Sequence, residues 1–334
     1  MSRILYENTC QVEFKGKKPL QSWMKDWTLD QRLDKFFEFC RVFDDRQDPL
    51  LKDEYQIFSH RLHWHEHPFC EWMKEIKSNK ARLFYTLVFS FTNEHWKTFT
   101  TLYDGGIEAA KERFRDSRHA RNDLFQIYYP KGTNVKEWIL EGPKQAAEDL
   151  AYVLDEAEKS GIPYTMMGFA KILEKYFKEH QNFRSPLYPC KNTARYIAMS
   201  YPHLVDPETI LFGGTGHFDG LHQIFDGPNL NGKVKYTITD NGSFIPENKH
   251  AEAWLYQMDL LVNDPRNPMT SQKYLNVEDK TCFFWKHIAI SHGEKKPTKN
   301  IPYTWIFDSK FNLSNHSDFI EKIVERDLMH ESLL

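Results

Sequence analysis

Glu278, Cys282 and Lys286 stand four residues apart in "VEDKTCFFWKH", so a helix there lines a carboxylate, a thiol and an ammonium along one strip. Val277, Thr281, Phe284 and Ile288 follow steps of four, three and four on the neighbouring face, which reads as the packed one. A carboxylate so placed can take or orient a proton on an incoming nucleophile, and a lysine can neutralise charge growing on a departing phosphate. A solvated or interhelical face uses the same residue types. Cys282 borders the apolar face and reads as a small buried hydrophobe rather than a nucleophile. Downstream, "SHGEKKPTKN" places Lys295, Lys296 and Lys299 in a loop suited either to nucleic-acid backbone or simply to solvent.

A second suggestive stretch is "FGGTGHFDGLHQIF", Phe212 to Phe225. It lacks the Lys-Ser/Thr ending of a phosphate-binding loop and has no alternating strand–helix context, which disfavours the nucleotide-binding folds. The residues read as a helix ending at Ile210 to Phe212, a turn at Gly213 to Gly216, and a new helix through Leu221, Ile224 and Phe225. Backbone amides near Gly214 and Gly216 would then meet an anion such as a DNA phosphate, the hairpin-like element covering 207–228. A tight helix–helix corner fits the same residues, with His217 and Asp219 as polar caps.

Other polar clusters carry two readings each. His60, His63, His65 and His67, with Glu66 and Cys70, do not reproduce the spacing of a zinc helix or a Cys/His knuckle, so no metal is expected. Arg113, Arg115, Arg118 and Arg121 suit DNA backbone or a solvated helix. Lys191 and Arg195 suit a channel lining, or a surface loop leading into a helix. Asn93 and His95 follow a buried apolar helix and can point into a cleft, although Asn93 also suits a helix cap.

The elements that would position these residues are mostly helices. Thr28 and Gln31 form a capping box before Leu29, Leu33, Phe36, Phe37 and Cys40, an amphipathic pattern. "KARLFYTLVFSF" reads as a fully buried helix, and "EHWKTFTTLYDG" as another that Gly105 and Gly106 stop. Pro143 suits the first turn of a helix carrying Ala146, Leu150, Val153 and Leu154 and ending at Gly161; Phe169, Ile172, Leu173, Tyr176 and Phe177 mark the next. Val234, Tyr236 and Ile238 alternate before Asn241 and Gly242, an extended insertion over 229–245 among helices. "NHSDFIEKIVERDLM" returns to helical spacing. With no repeat or linker, residues 1–334 read as one mainly α unit.

Composition sets the outer bounds. A chain of 334 residues, 40% apolar, can bury a substantial core without staples. Lys and Arg number 44 against 47 Asp and Glu, so only a local patch could hold nucleic acid. Five widely separated cysteines suggest reduced thiols in a cytosolic setting, and no stretch reads as a signal peptide or membrane span. Aromatic residues make up 15%, more suited to core packing than to base stacking.

The segment "VEDKTCFFWKHIAISHGEKKP", through Glu278, Cys282, Lys286 and Gly293, resembles the C-terminal signature of the alpha-glutamyl/putrescinyl thymine pyrophosphorylases, or amino acid:DNA transferases. "FGGTGHFDGLHQIF" and "FYTLVFSFTNEHW" resemble further parts of that group, giving patchy similarity from Phe84 to Pro297; the sequence departs from the pattern at Thr281 and His287. The resemblance implies a DNA-glycosylase-like helical fold with a helix-hairpin-helix-like element. It implies an enzyme of phage or viral DNA hypermodification, in the cytoplasm of the infected host cell. Pyrophosphate on a 5-pyrophosphoryloxymethyluracil in double-stranded DNA would be replaced by the amine of an amino acid or polyamine, with no cofactor. Glu278 would be the acid/base or orienting group and Lys286 the pyrophosphate contact, with Asn93 in the same cleft; Gly214, Gly216, His217, Asp219, Lys295 and Lys296 would face DNA. A helix-hairpin-helix N-glycosylase and a noncatalytic DNA-binding or virion protein remain the alternatives.

Overall fold

The computed structural model describes residues 24–45, 68–74, 76–91, 128–227, 229–239 and 242–292. Within them the chain is mainly helical, with two short two-stranded sheets. Where the sequence reads as one unit, the chain divides into two compact ones: Met1–Leu62 with Glu208–Pro302, and His63–Pro207 with Tyr303–Leu334. The first unit opens with α1 (Leu29–Asp45). Its capping box forms as expected: Thr28 N–H donates to Gln31 Oε1 at 2.8 Å and Gln31 N–H to Thr28 Oγ1 at 3.2 Å. Leu33, Phe36, Phe37 and Cys40 are buried.

The second unit holds α2 (Pro68–Met73), α3 (Asn79–Phe91), α4 (Val135–Ser160), β1 (Tyr164–Thr165), α5 (Met166–His180), α6 (Leu187–Ser200) and β2 (Val205–Asp206). Helix α3 is buried from Ala81 through Phe91, as its unbroken apolar run predicts, and packs against α4 and α6. The α4 start differs from the expectation: the helix begins at Val135 and runs through Pro143. Proline removes one helical N–H and crowds the preceding turn. Here Gly142 leaves that turn without a side chain, and Gln181 braces it, accepting from Trp138 Nε1–H and donating to the Gly142 carbonyl, each at 2.8 Å. Gly161, at φ +67°, ends α4 as expected. Lys191 and Arg195 are on neither a surface loop nor an exposed face: α6 covers them, and residues 189–200 are buried throughout. The parallel β1–β2 pair joins Tyr164 to Val205, a contact between segments too short to show a period.

The first unit resumes with α7 (Thr215–Phe225), β3 (Tyr236–Ile238), β4 (Phe244–Pro246), α8 (Lys249–Asn263) and α9 (Lys273–Ser291). The expected extended insertion is an antiparallel hairpin pairing Tyr236 with Pro246 and Ile238 with Phe244. Asn248 fastens it to α8: the side chain accepts from Ala251 N–H and Lys235 N–H and donates to the Lys233 carbonyl. No helix precedes the glycines, since Ile210 to Gly214 are irregular, and α7 starts at Thr215, before Gly216. The helix–turn–helix form expected over 207–228 is therefore replaced by a loop entering a single helix. One core cluster, including Phe36, Phe37, Phe218, Ile224, Trp254, Met258, Val277 and Phe284, binds α1, α7, α8 and α9 together.

Candidate functional site

Helices α7 and α9 make the most extensive pairing in the first unit. Glycine permits it. A Cβ on Gly220 would lie 1.9 Å from the Thr281 carbonyl oxygen, and one on Gly216 2.4 Å from Cys282 Sγ. Gly220 lets the α7 backbone approach the α9 backbone, and Gly216, one turn earlier, leaves room for the Cys282 sulfur. Gly216 thus serves helix packing from within the first turn of α7, and Cys282 packs its sulfur against it while only partly buried, where the sequence suggests a buried hydrophobe. Gly214 is the N-cap of α7, with open space where its Cβ would be.

His217 is fully buried and joins three helices. Trp254 Nε1–H of α8 donates to His217 Nε2 at 2.9 Å, and His217 Nδ1 lies 2.6 Å from Thr281 Oγ1 of α9. Thr281 Oγ1–H donates in turn to the Glu278 carbonyl at 2.8 Å. An indole N–H can only donate, so Nε2 accepts, Nδ1 carries the proton and gives it to Thr281, and every group in the chain is used. His217 is thus corrected from a DNA contact to a neutral interhelical crosslink. Asp219, 8% exposed, accepts from Asn229 Nδ2 at 2.7 Å and holds the chain leaving α7.

On α9 the expected faces are present. Val277, Thr281, Phe284 and Ile288 are buried, and so are three consecutive charged residues, Glu278, Asp279 and Lys280, each 3–4% exposed. Lys286 is partly buried, its Nζ 5.4 Å from the Phe283 ring centre and 5.8 Å from that of Trp285. Glu278 and Lys286 share a strip but stand two turns apart, about 12 Å along the axis. From there they can act on opposite ends of a reacting group. The geometry gathers Thr281, His217 and Trp254, with the Glu278 backbone carbonyl at the end of their hydrogen-bond chain.

Asn93, His95, Lys295, Lys296 and Lys299, the His60–His67 cluster, the Arg113–Arg121 cluster, and the helices expected around Trp96 and Phe319 lie outside the described residues. Among the described residues no group of histidine, cysteine and carboxylate side chains could hold a metal ion, and no helix is long and apolar enough to cross a membrane. Comparison with protein-family models, curated proteins and solved structures found no match to this chain. Sequence reasoning missed Trp254 as a site residue because it did not resolve α8. The signal was there: Asn248 as a cap, then Ala251, Trp254, Met258 and Leu261 at helical spacing.

Proposed function

We propose that the first unit transfers an amine onto a thymine-type base in DNA, displacing pyrophosphate from 5-pyrophosphoryloxymethyluracil. One observation carries the reading: Glu278, in the segment that resembles the transferase signature, belongs to a sequestered charged turn of α9 whose backbone is tied to Thr281 and, through it, to His217. Buried charged groups are held by pairing and hydrogen bonds, and active sites are one place, beside structural ion-pair networks, where proteins collect them. The scaffold is read as glycosylase-like in that it receives a base turned out of the stack, without the hairpin between helices.

In this reading the amine lone pair attacks the 5-methylene carbon. The carbon–oxygen bond breaks, and its electron pair leaves with pyrophosphate. Glu278 takes the proton that an incoming ammonium must lose before its lone pair is free to attack, and the second proton, on the cationic nitrogen the new bond leaves, passes to solvent. Lys286, two turns along, reaches toward the departing pyrophosphate and neutralises its growing charge. Nothing in the displacement is oxidised or reduced, so the chemistry calls for no redox cofactor. Mass analysis of nucleosides after incubating the protein with pyrophosphorylated DNA and a panel of amino acids and polyamines tests this. A substituted thymine supports it, released free base would indicate a glycosylase, and unchanged nucleosides with every amine would reject the transferase.

A further inference from the structure

Gln257 of α8 is 3% exposed, and its Oε1 is fully buried with no hydrogen-bond partner. Burying an amide acceptor without a donor is costly, and native structures leave few such groups. The position of this one is informative. Tyr274 Oη donates to Asp259 Oδ1 at 2.7 Å, linking the end of α8 to the start of α9. Trp254, nearer the α8 start, reaches Thr281, farther along α9, through His217. The two helices therefore run antiparallel, and Gln257, between Trp254 and Asp259, stands level with the stretch between Tyr274 and Thr281. That stretch contains the charged turn begun by Glu278. An amide acceptor awaiting a donor thus lies at the height of the group proposed to move a proton.

We propose that Gln257 reads the pyrimidine itself, its Oε1 accepting the N3–H of a uracil-type base while its NH2 faces a ring carbonyl. A uracil ring offers that donor beside two carbonyl acceptors, the complement of a side-chain amide. The proposal rests on the reading that this unit receives a thymine-type base, and it adds the residue that recognises the ring. Gln257 makes no bond to the reacting methylene and takes no part in proton transfer. Gln257 is 3% exposed, so the side chains covering it must part to admit the base.

Binding measured without turnover separates this inference from the transferase reading. Single-stranded oligonucleotides carrying one 5-hydroxymethyluridine, or its N3-methyl counterpart, are titrated into the wild type and Gln257→Met, the single strand removing base pairing as a variable. The wild type should prefer the N3–H oligonucleotide about tenfold, the value of one buried hydrogen bond. Gln257→Met should bind the two alike while melting at or above the wild-type temperature, because an unpartnered amide has been replaced by an apolar chain of similar length. Equal affinity of the wild type for both oligonucleotides would overturn the proposal, as would an undiminished preference in Gln257→Met. A variant that melts well below the wild type would also overturn it, by showing that the amide serves the fold. Pyrophosphate displacement measured in parallel with pyrophosphorylated DNA reports on the transferase reading: preference without displacement leaves Gln257 as a base reader and removes the transferase, whereas displacement without preference does the reverse.

Discussion

His217 is where a surface reading and a core reading part most sharply. As a DNA contact it would lower affinity when changed and leave the fold alone; as a crosslink it does the opposite. His217→Phe keeps an aromatic ring but leaves the buried Trp254 indole N–H without its acceptor and Thr281 without its donor. Each such loss costs about 1–3 kcal/mol, so urea unfolding should show a deficit of about 2–6 kcal/mol, and unchanged stability would return His217 to the surface. The α9 faces were legible because a helical period can be counted in one segment. The histidine's role was not, because its partners lie 37 and 64 residues away.

At the scale of elements, glycine was the ambiguous letter. Gly213 to Gly216 read as a turn, yet Gly216 lies within α7 and, with Gly220, serves close packing on α9. The two uses can be told apart only by what stands opposite, which the local sequence does not contain. Gly220→Ala would drive a methyl group into the Thr281 carbonyl and part the helices, costing at least about 2 kcal/mol. Gly214→Ala meets open space and should cost no more than about 1 kcal/mol through weaker capping. Similar melting temperatures for the two variants would contradict the packing assignment. Pro143 misled in a related way: its preference for a first turn was overridden by Gly142 and the Gln181 brace. The capping box at Thr28 and the buried run of α3 were legible because each signal is local and complete.

At the scale of the whole molecule, the division into two units left no mark in the sequence, since the first takes pieces from both sides of the second with no linker composition between them. Long-range ties hold those pieces together. Arg266, after α8, pairs with Asp264 at 2.8 Å and reaches back to Asp30 and Asp34 of α1 at 2.7 and 2.8 Å. Burial alone would raise the Asp264 carboxyl, but the Arg266 hydrogen bonds and charge outweigh it and hold Asp264 below its ordinary value of 3.8. A carboxylate lowered on folding stabilises fully above the unfolded value, and the contribution is lost as pH falls through the folded one. Asp30 and Asp34 are mostly exposed and add little. Arg266→Met should therefore cost about 1.5–3 kcal/mol at pH 7, and the difference from wild type should shrink in urea titrations taken below pH 3.8; a difference constant with pH would contradict the pairing. The most direct test of the central claim is single-turnover release of pyrophosphate from DNA bearing 5-pyrophosphoryloxymethyluracil, with an amine present, by wild type and folded Glu278→Gln across pH. The account predicts one pyrophosphate for each substituted thymine, a loss of about 100-fold in Glu278→Gln near neutral pH, and partial recovery as rising pH deprotonates the amine without help. Release at the wild-type rate by the folded variant would contradict it.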